Sequence, residues 1–298
     1  MSRIAYKPPT PVPIKVAIIT INFELRDFEI VLTDKYKNKL TKCFSLAKEK
    51  KPQFMILPEY SYDDELFDIY SEYSTENDCI IIGGSKLCKI NTEKSKCYAV
   101  CPVFLPGQPP IMVGKENPTD SEIQLSNDSI TRYPFDNTRD FSYLLGEIEI
   151  RFSVFICNDF LKNYHNYFSL QKRKDIFFVP QYEMKPNLFI HCAASLSTET
   201  ETYVFGVNKS KNSVDQKMLL LKSVGTGSLN SSTVNNLYSL GYRKSNYDDY
   251  FDKSIIYDID GPVLLVLDID LGAPSPLPHT RSRLRSRPNV IPILKMSV

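Results

Sequence analysis

Three short apolar runs separated by amphipathic stretches constrain this chain more than any other feature. Ile14 to Ile21 (IKVAIITI) is apolar and β-branched, as a strand buried on both faces must be. Phe28, Leu32, Tyr36, Leu40, Phe44 and Ala47 then recur every three or four residues among Lys and Glu, which predicts an amphipathic helix. Phe54 to Leu57 is a second buried strand ended by Pro58. Asp63 to Tyr73 reads as a helix, and Cys79 to Ile82 as a third strand closed by Gly83-Gly84. Strand, helix, strand, helix, strand in this order predicts an α/β fold with parallel strands joined by crossover helices.

Further strands are expected at Tyr98 to Leu105, Glu147 to Cys157, Asp175 to Val179, Tyr203 to Val207, Ile255 to Asp258 and Val263 to Ile269, with a helix around Leu188 to Ser197. Residues 1–13 form a Pro-rich lead-in, 14–271 the folded domain, and 272–298 a Pro/Arg-rich arm. Within the domain, about 229–254 is a polar insertion rich in Asn, Ser and Tyr.

Composition narrows the function classes. A net charge of +1 offers no overall field to recruit phosphates, so a nucleic-acid protein working by bulk electrostatics is not expected. Arg281, Arg283, Arg285 and Arg287 in the arm are the one hint of such contacts, and a solvated or subunit-embracing arm is the plainer reading. No apolar run approaches the ~20 residues of a membrane helix, and the N-terminus lacks the apolar core of a secretory signal. Seven cysteines without a CxxC pair then read as reduced thiols in a cytoplasmic protein.

Three residues stand where chemistry is possible. Glu59 follows a buried strand and a proline, at the sheet edge where ligands collect in open α/β folds. Cys157 ends the apolar run FSVFIC and precedes Asn158-Asp159; Lys115 lies in the polar turn MVGKENP. Each taken singly has a blander explanation: a capping acid, a core thiol, a solvated lysine.

Their order changes the reading. Glu59, Lys115 and Cys157 each lie just beyond a predicted strand, and here the sequence resembles the nitrilase superfamily of carbon–nitrogen hydrolases. ILPEYS is similar to that family's strand-Pro-Glu element, GKENP to its lysine element, and FICNDF to its cysteine motif, with Asp159 in the expected place. Gly83-Gly84, DIFFVPQ, YVFGVNKS and GTGSL match further segments in order, so the resemblance runs from about Ile14 to Leu271.

The resemblance implies a four-layer α-β-β-α sandwich and assembly into at least a homodimer; with no phosphate-cradling glycine loop and no metal-ligand spacing in the sequence, no cofactor and no metal are expected. It also implies roles. Glu59 would take the thiol proton as general base, and Cys157 would attack an amide, nitrile or carbamoyl carbon to give a thioester. Lys115 and the backbone N–H of Asn158 would stabilise the oxyanion. Glu122 is the match for a second, positioning glutamate and is preferred over Glu116, which adjoins the lysine. The substrate is then a small-molecule amide or nitrile, and the acyl acceptor water or an amine.

Two departures stand against this. Phe160-Leu161-Lys162-Asn163 replaces the family's usual continuation after the cysteine, and some 30 residues separate Gly227-Ser228 from Asp260-Gly261. One rival is therefore a catalytically idle module of the same fold, used for binding or scaffolding. Another is a metal-dependent phosphoesterase with Glu59 as ligand, for which the one late histidine, His279, is poorly placed. His165 as a partner for Cys157 and the acids Asp258, Asp260, Asp268 and Asp270 as a metal cluster are weaker candidates.

Overall fold

A computed structural model of the chain describes residues 13–89, 96–125, 129–146, 148–169, 172, 174–182, 187–200, 202–208, 217–221, 243–244, 254–258, 263–271 and 289–291. All but Pro13 of the Pro-rich lead-in, nearly all of the polar insertion, His279, the alternating arginines and the GTGSL segment lie outside the described residues.

The N-terminal half contains β1 (Pro13–Thr20), β2 (Leu25–Arg26), β3 (Glu29–Ile30), α1 (Asp34–Lys50), β4 (Phe54–Ile56), α2 (Phe67–Asn77), β5 (Ile80–Ile82) and β6 (Lys86–Lys89). There follow β7 (Lys96–Phe104), β8 (Ile111–Gly114), α3 (Asp120–Leu125), β9 (Ser129–Ile130), β10 (Asp140–Leu145), β11 (Ile148–Val154) and α4 (Asn158–Asn163). The remainder is β12 (Ile176–Pro180), α5 (Asn187–Thr200), β13 (Tyr203–Val207), β14 (Lys217–Leu221), β15 (Arg243–Lys244), β16 (Ser254–Asp258), β17 (Val263–Asp270) and β18 (Asn289–Ile291).

These strands form two large sheets. One runs β18-β17-β1-β4-β5-β7-β6, with β8 and β9 also paired to β7; the other runs β10-β11-β12-β13-β14-β16-β15. In each, the parallel strands lie at the centre: β1, β4 and β5 in the first, β11, β12 and β13 in the second. The sheets meet face to face through aromatic rings. Phe54 of β4 lies 5.3 Å from both Phe152 of β11 and Phe178 of β12. On the outer faces, Phe44 of α1 packs on Tyr70 of α2, and Phe160 of α4 on Phe189 of α5. The result is the expected layering, helices outside two sheets, and it explains the apolar central strands β4, β5, β12 and β13, which are buried on both faces. Among the described residues no helix is long and apolar enough to cross a membrane.

Helix α1 starts later than its periodicity suggests. Thr33 caps it, its side-chain oxygen accepting from Tyr36 N–H, and Tyr36, Leu40, Cys43, Phe44 and Ala47 form the buried stripe. Phe28 and Leu32, which fit the same spacing, lie before the helix. Asp27 and Phe28 take φ of 52° and 63°, the conformation of a tight hairpin turn, and join β2 to β3. The arm also differs from expectation, since Asn289–Ile291 adds to the edge of the first sheet against β17.

One glycine fixes the loop that follows β4. Gly84 has φ +80°, and a Cβ there would run into the Ser61 hydroxyl and the Pro58 carbonyl oxygen, which flank Glu59. Gly84→Ala is therefore expected to lower stability by about 2–4 kcal/mol and to displace the Pro58–Ser61 turn. Urea denaturation checks the first effect, and a variant as stable as the parent would contradict this packing.

Candidate active site

Glu59 and Cys157 occupy equivalent places in the two sheets. Each stands three residues beyond the carboxyl end of a central parallel strand, β4 and β11. Lys115 follows β8, a short strand after two prolines that the sequence did not reveal, rather than β7 directly; its N–H still continues the ladder to Ala99 on β7. The sandwich thus brings the acid, the lysine and the thiol to one end of the sheets. All are buried: Glu59 and Lys115 are 1% exposed, Cys157 2% and Glu122 3%.

Lys115 Nζ donates to Glu59 Oε1 at 2.7 Å and to Glu122 Oε1 at 2.5 Å. Glu122 is held from the other side by Thr119, whose N–H and hydroxyl both donate to Oε2. The Tyr60 hydroxyl also donates to Glu122. Glu116 lies elsewhere, paired with Arg139 at 2.7 Å. The Cys157 thiol and the Glu59 carboxylate lie close enough to shift each other's ionisation, and the backbone N–H of Tyr182 acts on the thiol in the opposite sense to burial.

The electrostatics follow from burial and this crowding. Burial, the largest cause, outweighs the pull of Lys115 and, with Glu122, carries the Glu59 carboxyl up to about 7. Burial also opposes charge on Lys115, but Glu59 and Glu122 together outweigh it and hold the ammonium above its ordinary value. Glu122 is desolvated too, yet Lys115 and its hydrogen-bond donors keep it below the ordinary carboxylate range. Burial, then Glu59, pushes the Cys157 thiol well up, which favours S–H over thiolate.

Backbone conformation presents the thiol. Cys157 has φ 46° and ψ −111°, a region that side chains adopt at a cost of about 1–3 kcal/mol. It sits at the head of α4, and its own N–H is committed to Pro180 O at 2.9 Å. The following N–H, of Asn158, belongs to the first turn of α4, where no intrahelical acceptor exists. The Asn158 side chain donates to Asn117 O at 3.1 Å.

Asp159 ties the cysteine turn to the lysine turn. Its carboxylate accepts from the N–H groups of Glu116 and Asn117 and from Asn117 Nδ2, at 2.7–3.1 Å. The sequence marks Asp159 only as part of a motif; its bonds give it a physical task, holding the loop after Lys115 against Cys157. Tyr60 and Tyr182 carried no sequence signal. Tyr60 takes φ 59°, and its ring lies between Phe28 at 5.5 Å and Tyr182 at 5.9 Å, with Lys115 Nζ 5.9 Å from its centroid. That conformation could not be read from residue type.

The weaker candidates separate in space. His165 is exposed, in a short helical turn at Tyr164–Tyr167. Asp258 lies in the second sheet on β16, whereas Asp268 and Asp270 lie in the first on β17. Among the described residues no group of three or more His, Cys, Asp or Glu is placed to hold a metal.

No protein-family model matches the sequence, and no curated protein does. Solved structures do match. Nit3 of Saccharomyces cerevisiae, a member of branch 10 of the nitrilase superfamily, superposes with a TM-score of 0.53 at 14% identity, over 74% of this chain and 85% of its own. An amidase from Nesterenkonia sp. gives 0.54 at 8% identity, over 76% and 88%. A carbon-nitrogen hydrolase from Helicobacter pylori gives 0.53 at 11% identity, over 71% and 83%. At such identities the likeness is one of architecture, and what this chain shares with them is the fold of the nitrilase superfamily.

Proposed function

We propose that the chain is a divergent nitrilase-superfamily enzyme, a thiol-dependent hydrolase of a non-peptide C–N bond in a small amide, nitrile or carbamoyl compound. One observation carries this reading: a buried lysine bridges two glutamates, one of which lies close enough to a thiol in a strained turn to shift its ionisation. A core built for stability alone has little use for three ionisable groups and a strained cysteine together.

The chemistry follows from the protonation states. An amide carbon is a poor electrophile, and the Cys157 thiol is protonated at rest, so its proton must leave as sulfur attacks. Glu59 takes that proton and passes it to the departing nitrogen. Lys115 and the Asn158 N–H stabilise the oxyanion, each such donor being worth about 10²- to 10³-fold. Loss of ammonia or an amine from an amide leaves a thioester on Cys157, whereas a nitrile first gives a thioimidate that takes up water and then loses ammonia. Water, or an amine acceptor, resolves the thioester, its proton passing through Glu59. Glu122, Tyr60 and Thr119 keep Lys115 charged and in place.

A base near 7 gives a pH signature. Glu59 must be ionised to accept the proton, so kcat/KM for a neutral amide is expected to fall about tenfold per unit as pH drops below about 7, and to level off above it. A profile flat from pH 5 to 8 would remove Glu59 from the base role.

The direct test needs no known substrate. One structure of a mutant Nesterenkonia amidase, with glutamine in place of a glutamate, shows the result of Michael addition of acrylamide at the active site cysteine. Limiting acrylamide is expected to modify Cys157 first among the seven cysteines, and Lys115→Ala to alter the rate. The burial of Cys157 favours one rival, an idle binding module of the same fold. If Cys157 stays unmodified while the unfolded chain labels fully, that rival replaces the enzyme.

A further inference from the structure

Gln181 ends the DIFFVPQ segment, one residue beyond β12, and is 1% exposed. Its backbone stands at the junction of the two turns that carry the reacting groups. The carbonyl oxygen accepts from Glu59 N–H at 3.3 Å, and the N–H donates to Val207 O, at the end of β13, at 2.8 Å. On either side of it, Pro180 O accepts from Cys157 N–H at 2.9 Å, and Tyr182 N–H acts on the Cys157 thiol.

The backbone of Gln181 is fully bonded, and its side chain is not. Nε2 and Oε1 are both buried, and neither has a hydrogen-bond partner. Among the described residues no other buried side chain leaves two polar atoms unpartnered. A buried carboxamide has given up its hydration, and unpaired it gains nothing in return. Stability alone would favour an apolar side chain of the same size. Buried polar groups are nearly always paired, so this one calls for a partner that arrives from outside the chain. It lies two methylenes from the backbone that holds Glu59 beside the cysteine turn.

The chemistry of that partner is restricted. In the hydrolase reading the substrate's carbonyl oxygen goes to Lys115 and the Asn158 N–H, and its nitrogen to Glu59. The rest of the substrate is left for Gln181. An alkyl group there would keep the carboxamide unpaired. A carboxylate or ammonium would be buried against a neutral partner, because Lys115, Glu59 and Glu122 already pair among themselves. A neutral group that both donates and accepts is the one that fits.

We propose that Gln181 determines specificity, its carboxamide hydrogen-bonding a neutral amide or hydroxyl group on the acyl part of the substrate, remote from the C–N bond that is cut. The assignment rests on the thiol-hydrolase reading for the reacting end and on the unpartnered carboxamide for the other. Gln181 takes no part in bond cleavage.

The test compares four amides of similar length: succinamide, γ-hydroxybutyramide, succinamate, and isocaproamide, in which an isopropyl group replaces the second carboxamide of succinamide. Each is assayed with the parent, Gln181→Met and Gln181→Asn. Counted per amide group, kcat/KM is expected to favour succinamide or γ-hydroxybutyramide over the other two by about tenfold or more, a preference largely lost in Gln181→Met. The faster of the two identifies the group recognised. Gln181→Asn, whose carboxamide sits one methylene back, should keep the preference but move its optimum from succinamide to glutaramide, which a residue that only supports the fold would not do. Amides cleaved alike, a preference for the carboxylate, or a preference that survives Gln181→Met would overturn the inference and leave the hydrolase reading standing. Urea denaturation reports whether Gln181→Met folds; if it does not, the Gln181→Asn series decides, and an optimum that stays at succinamide overturns the inference. If the parent cleaves none of the amides, succinamide and γ-hydroxybutyramide are titrated calorimetrically into it. Binding that the Gln181 variants weaken would then keep the site and remove the hydrolase, and no binding would remove both.

Discussion

Cys157→Ala is expected to lower amide turnover by on the order of 10⁶-fold while leaving the chain folded, the scale seen when a nucleophile is removed from residues that act as a unit. The thiol contributes little to packing that a methyl group does not. Its backbone, at φ 46°, stays as strained in the variant as in the parent. Activity and stability should therefore separate: steady-state hydrolysis collapses and the urea midpoint moves little. Cys157→Ser should resemble the alanine variant, because a serine hydroxyl is a far weaker acid than a thiol and Glu59 is too weak a base to activate it. An alanine variant that kept more than about a hundredth of the parental rate would show that Cys157 is not the nucleophile.

Lys115→Met should instead damage the fold. Removing the ammonium leaves Glu59 and Glu122 buried beside each other without the cation that bridges them at 2.7 and 2.5 Å. Breaking a buried pair in this way costs about 3–5 kcal/mol near neutral pH. The cost must depend on pH, and its sign can be worked out. In the parent, Glu122 lies below its ordinary value, so its contribution is present above the ordinary carboxylate range and is lost as pH falls. Glu59, raised to about 7, behaves oppositely: its contribution is full below the ordinary range and is lost as pH rises through about 7. Without Lys115 both carboxyls are raised, and both lose stability as pH rises. The gap between parent and variant should accordingly widen from pH 5 to pH 8, measured by urea denaturation at each. An equal gap at both values would mean that the two acids do not depend on the lysine.

Much of this arrangement is legible in the sequence because it hangs on strand ends. Pro58-Glu59 and Cys157-Asn158 terminate apolar runs too hydrophobic to be anything but buried strands, which places both pairs at the sheet edge. What strand patterns do not carry is local backbone shape. Phe28 and Leu32 fit the register of α1, yet the positive φ at Asp27 and Phe28 turns that segment into a hairpin. The pattern puts Lys115 in a turn directly after β7 because β8, four residues long and preceded by Pro109-Pro110, shows no period of its own. Spacing alone could not choose between Glu116 and Glu122. The choice lies in Thr119, which turns the chain so that Glu122 faces the lysine while Glu116 meets Arg139. Tyr60 and Tyr182 were invisible for a related reason: their place beside the site depends on a left-handed residue and on the partner sheet.

The pairing of β1 with β17 bears on how such a site comes into being during synthesis. Residues 13–20 lie between β4 and β17, and their whole length is paired with residues 263–270. One flank of the sheet that carries Glu59 thus stays open until β17 has left the ribosome. Contacts this distant in sequence form slowly, since the intervening chain must first be ordered. The acid and the thiol, drawn from different sheets, come into register only as that closure occurs. A nascent chain should accordingly hold seven ordinary thiols, and acquire its one distinctive cysteine as a late, all-or-none event.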